Sequence, residues 1–491
     1  MPDVQALIRT LPAFAGRRVL LVGEAILDRY LKGRAAGLCR EAPVPVVGLE
    51  STTEVAGGAA NVAVNLARLG ADVRFVSTVG GDAPGATLAG LLTDHGVSGD
   101  GLLRASDART LVKHRVRCDD QLIVRFDEGD TSRSQALPAR LAEAVRQAAG
   151  QSECLVVSDY DLGLMGPEVR AAIAQAHAGG LPLIVDAKCP ERYRDMHPDV
   201  VKPNFAEALC LLGCRAPGRE RAAFIERSRE ALLQASGAGV VLVTLDAEGA
   251  VLIAPDKTYR TSGRAVPAAH TAGAGDTFLS AFTLAYAAHA PLPVAMDLGA
   301  QAADLVLDGE TTLACGAEAL GRELAGQGKL WRDDRQIADQ SDFYRARGQR
   351  VVFTNGCFDI LHRGHIAYLE RAKALGDVLV VGLNDDASVR RLKGPGRPIN
   401  PLADRMAVVA ALACVDHVLS FAGDTAHAPI RLIRPHIFAK GGDYATKCLP
   451  EAALVEEWHG QVRLLEYMKD ASTSDLIARI RREARSGSWT S

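Results

Sequence analysis

Lysine is scarce in this 491-residue chain, supplying 11 of the 56 basic residues. Acidic residues number 59, so the formal charge is -3, and the chain lacks the basic excess that marks a nucleic-acid-binding surface. Any anionic ligand must therefore be met by local groups. The ten cysteines include no CxxC pair. The closest two, Cys210 and Cys214, fall in an apolar helical pattern with no histidine cluster beside them, unlike structural zinc spacing. No charged segment followed by an apolar run opens the chain, and no uninterrupted apolar stretch of about 18 residues occurs. A reducing cytoplasm is the expected compartment, with neither membrane nor nucleic acid as a partner.

What is present is ordinary globular composition: 48% hydrophobic and 23% charged residues, with 47 Gly and 22 Pro. The length is about three times the ~150 residues of a typical domain, so two or three domains are expected. The first three hundred residues alternate β-branched runs with helical periods. RRVLLVGE (17–24), CLVVSD (154–159), LPLIVDA (181–187) and VVLVTL (240–245) read as strands of a mainly parallel sheet covered by helices. Val62, Leu66 and Leu69 follow i, i+4, i+7, and Gly70 stands where a left-handed cap would end that helix. From about Cys315 to Arg350 the chain turns polar and lacks a strong β run, and alternation restarts with VVFTNGCFDI. These shifts divide the chain into a domain over 1–318, a partly helical linker over 319–347 and a second domain over 348–491. No internal repeat relates the two halves.

Two Gly-rich segments of the first part are candidate ligand loops, GGAANVAVNLARLG (57–70) and HTAGAGDTFLSAF (270–282). Gly273, Ala274 and Gly275 lead into a helical run beginning near Asp276, so successive N–H groups can converge on an anion. An aspartate there would repel a phosphate but is well placed to take a proton from an attacking hydroxyl, which describes phosphoryl transfer to an alcohol. Read alone, the same tetrapeptide is equally a tight turn with Asp276 as a helix cap.

Together the two segments resemble the signatures of the ribokinase-like sugar kinases, an α/β/α sandwich with an edge lid. By that resemblance Asp276 is the base and Gly273, Ala274 and Gly275 form the anion hole. Asp28, Gly57, Gly58 and Asn61 then line the sugar site. Asn204 and Glu207 in KPNFAEAL match the element that organises Mg²⁺ and phosphates, with Thr244 also on the ATP side, and no residue is a strong direct metal ligand. VGEAILDRY, CREAPVPVV, VRCDDQLIVRFD and SDYDLG are similar to segments of the heptose 7-phosphate kinases within that family, and Arg115, Gln121 and Arg125 match there, with Lys113 a weaker candidate. Arginine suits bidentate capture of a sugar phosphate, although a charged strand edge would look the same. The chain departs from the pattern at Glu24, Asp161, Leu162 and His270, and an imidazole at 270 is a poor cation ligand.

In the second part, TNGCFDILHRGHIAYLERAKALGD puts His362 and His365 three residues apart at the start of a helix, with Gly364 between them. Two imidazoles and a helix N-terminus suit charge developing on a nucleotide's phosphates. A metal site would need a third ligand, and none is evident. Asp359 and Asn384 end predicted strands, where open α/β sheets bind ligands. HRGH, RLKGPGRPINPLADRM, FAKGGDY and ASTSDLI resemble, in order, the Rossmann-like nucleotidylyltransferase superfamily and the adenylyltransferase domain of bacterial bifunctional heptose enzymes. That likeness places Asn355, Gly356, Phe358, Asp359, Gly364, Asn384, Lys393, Lys440 and Asp443 at the nucleotide, with Arg405 weaker. Ser472, Thr473 and Ser474 either bind phosphate or cap the last helical run.

The two resemblances together imply an enzyme of activated-heptose biosynthesis. It phosphorylates D-glycero-D-manno-heptose 7-phosphate at O1 with ATP and Mg²⁺, and transfers AMP to heptose 1-phosphate to give ADP-heptose. They also imply a separate phosphatase acting between the steps and a homodimer through the kinase domain. Alternatives stay open: a different sugar phosphate, a kinase half that only binds or regulates, and CTP in place of ATP in the second half.

Overall fold

The computed structural model describes residues 4–118, 121–130, 137–215, 220–263, 272–307, 314–331, 334–441 and 449–465. The chain forms two compact units, Met1–Arg322 and Glu323–Ser491.

The first unit is built on a nine-stranded sheet. Its spatial order is Thr258–Thr261, Ala250–Ile253, Val240–Thr244, Val200–Val201, Leu183–Ala187, Cys154–Asp159, Arg18–Gly23, Asp72–Gly80 and Leu102–Ala105. All neighbours are parallel except at the Thr258–Thr261 edge, where two pairings are antiparallel. The central strands are apolar on both faces because both are covered, as a parallel sheet requires: Val19 to Val22 and Leu155 to Val157 are all buried. The helix expected after Gly58 runs Ala59–Arg68, and Gly70 takes a φ of +107° just past it. Val62 and Leu66 on that helix are wholly buried, each contributing about 1.5–3 kcal/mol.

Beside this sandwich lies a separate four-stranded sheet in the order Pro45–Gly58, Ala25–Leu38, Arg109–Cys118, Gln121–Asp130. Its inner ends carry Asp28, Gly57, Lys113 and Arg115 toward the sandwich, whereas Leu38, Val46, Leu49, Leu122, Val124 and Phe126 leave large apolar surface exposed. This is the edge lid of the expected fold.

The second unit has a wholly parallel six-stranded sheet, ordered Leu330–Trp331, His417–Phe421, Val378–Asn384, Val351–Gly356, Ile437–Gly441, Gln461–Leu465. The chain order reverses on either side of Val351–Gly356, which opens a crevice beyond the carboxyl ends of the central strands. The stretch 319–347, expected as a linker, holds the strand Leu330–Trp331 and the helix Asp334–Ala346. Trp331 and Ile337 pack in one core with Phe353 and Phe438, joined by the partly buried Tyr344, so a few apolar side chains anchor this part of a largely polar segment. Among the described residues, no helix is long and apolar enough to cross a membrane, and the nine described cysteines are all unpaired.

Candidate active sites

Asp276 sits in the first turn of the helix Ala274–Ala287, directly after Gly273, whose φ of +84° is a left-handed conformation that suits glycine. The cap position of that helix is Gly273, so Asp276 is not the helix cap. It accepts two side-chain hydrogen bonds instead. Asn61 Nδ2 donates to Oδ2 at 2.8 Å and the Tyr160 hydroxyl donates to Oδ1 at 3.0 Å. Burial pushes the Asp276 carboxyl up to about 6, with nearby Asp186 adding to the rise and Asn61, Tyr160 and Lys202 opposing it.

Asn61 is held in turn by Asn65, whose Nδ2 donates to Asn61 O at 2.9 Å and to Oδ1 at 3.1 Å. Asn65 Oδ1 also accepts from the Thr277 hydroxyl at 3.0 Å, tying the helix Ala59–Arg68 to the one that carries Asp276. Asp28 receives Arg115 Nη1 at 2.7 Å and packs against Gly57, where a Cβ would lie 2.5 Å from Asp28 Oδ2. Gly58 is the residue immediately before that helix. Arg125, the cross-strand partner of Arg115, is exposed and paired with Asp127. Lys113 lies 4.9 Å from the Tyr160 ring centroid, and burial pulls its ammonium below the ordinary lysine range.

Asp276 opens on a cavity of about 760 Å³. Asn204, Glu207, Thr244, Ala274 and Gly275 line it, as the sequence suggests, together with Asp186 and Lys202. Asn204 and Glu207 form a reciprocal capping box at the start of the helix Phe205–Leu212, which fixes both side chains. Lys202 is buried and paired with Asp186 at 2.8 Å. Burial works against the Lys202 ammonium, but Asp186, Glu207 and Asp276 outweigh it and raise its pKa, so it stays charged at the cavity wall.

Sequence reasoning missed Asp186, Lys202 and Tyr160 as site residues, although SDYDLG and KPNFAEAL contain two of them. Among the departures, Glu24 is buried and accepts the N–H groups of Tyr160, Leu162 and Leu164 at 2.9, 3.2 and 3.4 Å. Burial and Asp159 raise its pKa while those N–H groups pull it down. Asp161 pairs with Arg192. His270 lies outside the described residues.

In the second unit His362 is the cap residue of the helix Arg363–Lys373, and its ring lies 3.9 Å between centroids from that of His365, the two planes tilted by 31°. Gly364 is buried between them. Among the described residues both Nδ1 atoms are buried without a hydrogen-bond partner. Burial and the neighbouring His362 pull His365 down to about 4, and burial lowers His362 as well, so both rings are neutral near pH 7. Lys440, on the adjacent strand Ile437–Gly441, donates to Asn355 Oδ1 at 2.8 Å. Burial holds it below the ordinary lysine value.

Phe358, with its ring 5.4 Å from His365, packs over Gly356. Asp359 is buried and engaged by Arg397 and by the N–H groups of Ile399 and Asn400, so it anchors the 394–401 loop rather than standing free. Asn384 donates to Gly423 O at 3.1 Å. Arg405 is 2% exposed and bonds Asn400 O, Cys357 O and Asp386, which makes it a brace between loops. Lys393 is exposed at the end of the helix Asp386–Lys393, close enough to Cys357 to lower that thiol's otherwise raised pKa. Asp443, Ser472, Thr473 and Ser474 lie outside the described residues. Among the described residues, no three His, Cys, Asp or Glu side chains cluster as a metal site.

Residues 17–319 match the family model of pfkB family carbohydrate kinases, and residues 353–484 match a cytidylyltransferase-like model. The chain is 38% identical over 481 residues to the bifunctional protein HldE of Pseudomonas paraeruginosa, and 39% identical over 481 residues to that of Methylococcus capsulatus. Each alignment covers 96% of this chain and 99% of the relative. Among solved structures, phosphofructokinase-2 from Escherichia coli with substrates and products aligns at a TM-score of 0.53 and 21% identity. Ribokinase from Arabidopsis thaliana with ribose and ATP aligns at 0.51 and 22%. Both cover 63% of this chain, and 98% and 99% of their own, and they share its kinase fold. With near-complete coverage by those relatives and the two domain families in the same order, the chain belongs to the bifunctional HldE proteins, a pfkB-type carbohydrate kinase joined to a cytidylyltransferase-like unit.

Proposed function

We propose that the first unit uses ATP to phosphorylate O1 of D-glycero-D-manno-heptose 7-phosphate, giving the 1,7-bisphosphate. The second unit transfers AMP from ATP to heptose 1-phosphate, giving ADP-heptose and pyrophosphate. The observation that carries the kinase reading is Asp276, oriented by two donors at a helix start and opening on a cavity of about 760 Å³, in the range that holds a nucleotide-sized ligand. Its carboxylate takes the proton of the anomeric hydroxyl as that oxygen attacks the γ-phosphorus and ADP leaves. The N–H groups at Ala274 and Gly275 and the Lys202 ammonium meet the charge on the transferred group. Asp28, Asn61 and Arg115 hold the sugar, with Arg125 and Lys113 at the 7-phosphate side.

Mg²⁺ takes most of its ligands from phosphates and water and needs one or two protein carboxylates, a demand the cavity's donor set fits. Asn204 and Glu207 would organise it at the phosphates, in large part through its water shell, and it would neutralise phosphate charge. Transfer of AMP needs no general base, since a sugar phosphate oxygen attacks the α-phosphorus directly. His362 and His365, as neutral rings, orient the triphosphate through hydrogen bonds, and Lys393 and Lys440 balance its charge. A pathway phosphatase removes the 7-phosphate between the two steps, and the exposed apolar lid supports dimerisation through the kinase unit. Unpaired cysteines suit a reducing cytoplasm.

The test is reciprocal inactivation. Asp276→Asn removes the base and lowers kinase kcat by about 10²–10⁴-fold with AMP transfer intact. Lys440→Met does the reverse. Loss of both activities in either variant contradicts the assignment of the two reactions to separate units.

A further inference from the structure

The two partners of Asp276 differ in kind. Asn61 is a neutral amide on a buried helix, whereas Tyr160 is a phenol at the head of a loop, and three features fix where its hydroxyl points. The Tyr160 N–H is bound to Glu24 Oε2 at 2.9 Å, and the same carboxylate gathers the N–H groups of Leu162 and Leu164. The residue follows directly on the buried strand Cys154–Asp159. Lys113 from the lid sheet lies 4.9 Å from the Tyr160 ring centroid. Glu24, buried and 136 positions away, thus sets the loop, the loop sets the phenol, and the phenol sets one oxygen of the carboxylate.

We propose that Tyr160 is a positioning residue of the kinase unit, its hydroxyl clamping Asp276 Oδ1 so that the remaining lone pairs of the carboxylate face the acceptor hydroxyl. The proposal rests on the reading of Asp276 as the base. It also gives the departure at position 24 a function, since Glu24 reaches the loop that carries the phenol. No bond is made or broken at Tyr160. The phenol keeps its proton throughout, and burial together with Asp276, Asp186 and Asp28 raises its pKa.

A purely structural tyrosine and a clamping one part company in their pH dependence. The groups facing Asp276 are Asn61 and Tyr160, which donate to it, Asp186, which disfavours its charge, and Lys202, which favours it. Tyr160 in turn meets Lys113 and lies near Asp28 and Asp186. Removing the phenolic donor withdraws stabilisation from the charged carboxylate alone, so its pKa rises from about 6 by roughly one unit. The base then exists in its working form only at higher pH.

The experiment measures kinase kcat/KM of the full chain from pH 5.5 to 8.5 for wild type and Tyr160→Phe, with AMP transfer in the same preparation as the control for integrity. We expect the ratio of variant to wild type to fall by about fivefold between pH 8 and pH 6, as a one-unit shift requires. A second variant carries 3,5-difluorotyrosine at position 160, which keeps the ring and hydroxyl but donates more strongly, and it moves the acid limb to lower pH. A ratio that is flat across the range, whatever its size, overturns the proposal and leaves Tyr160 as packing. Asp276→Asn separates this from failure of the base assignment. If that variant still phosphorylates sugar at the wild-type rate, the base reading and the clamp fall together. If it is inactive while the Tyr160→Phe ratio stays flat, the clamp alone is wrong.

Discussion

Lowering the pH from 7 to 5 is expected to weaken the second unit by about 1–2 kcal/mol through His365 alone. The unfolded imidazole has the ordinary value of 6.5, whereas burial and the adjacent His362 hold the folded one at about 4. A histidine kept neutral by folding contributes no penalty above its unfolded value. As the pH falls below 6.5 the unfolded chain gains a proton that the folded chain refuses, and stability is lost until the folded ring also titrates near 4. At pH 5 the full conversion is about 2 kcal/mol, and solvent reaching part of the ring reduces it toward about 1 kcal/mol. The assay is favoured by an accident of composition. All three tryptophans, Trp331, Trp458 and Trp489, belong to the second unit, so urea unfolding followed by tryptophan fluorescence reads that unit alone. Comparing wild type with His365→Gln, which cannot titrate, isolates the term. Wild type should lose about 1–2 kcal/mol more than the variant between pH 7 and pH 5. An equal loss in both would refute the claim that burial keeps His365 neutral.

Three further outcomes follow from single contacts. Gly57→Ala places a methyl 2.5 Å from Asp28 Oδ2, which displaces the Arg115 pair; kinase KM for the sugar phosphate should rise at least tenfold, read by coupled ADP release, with AMP transfer unchanged. Arg405→Met removes a buried guanidinium from three partners and leaves the Asn400 and Cys357 carbonyls without that donor, so the second unit should lose about 1–3 kcal/mol in the tryptophan-monitored unfolding. Lys202→Met strands Asp186 inside the cavity, and isothermal titration should show ATP affinity of the kinase site falling by about tenfold or more.

Much of the scaffold was legible because it depends on local pattern. The strand runs at 17–24, 154–159, 181–187 and 240–245 each recur within two residues of their expected ends, since fully covered parallel strands are continuous apolar runs. Gly70 and the Val62–Leu69 spacing announced a helix end in the same local way. HRGH was readable because a helix cap and the third helical residue after it lie together at the helix start without help from the rest of the chain. What stayed hidden is held by distant partners. Tyr160 meets Asp276 across 116 positions and Lys202 meets Asp186 from the end of the neighbouring strand, and neither pairing leaves a periodic trace. Asp359 and Arg405 were readable as charged residues in a nucleotide motif, yet both are consumed in bracing loops, which only their neighbours reveal. The stretch 319–347 reads as a connector because its polar composition outweighs a few apolar residues such as Trp331 and Ile337 that dock it.

The measurement that bears most directly on the central claim is mass spectrometry of products made by the purified full chain with ATP and Mg²⁺. One sample receives D-glycero-D-manno-heptose 7-phosphate and the other heptose 1-phosphate. A heptose 1,7-bisphosphate in the first and ADP-heptose with pyrophosphate in the second is the result this account predicts. ADP-heptose alone would contradict the kinase assignment built on Asp276, and the absence of product from both would contradict the heptose assignment itself.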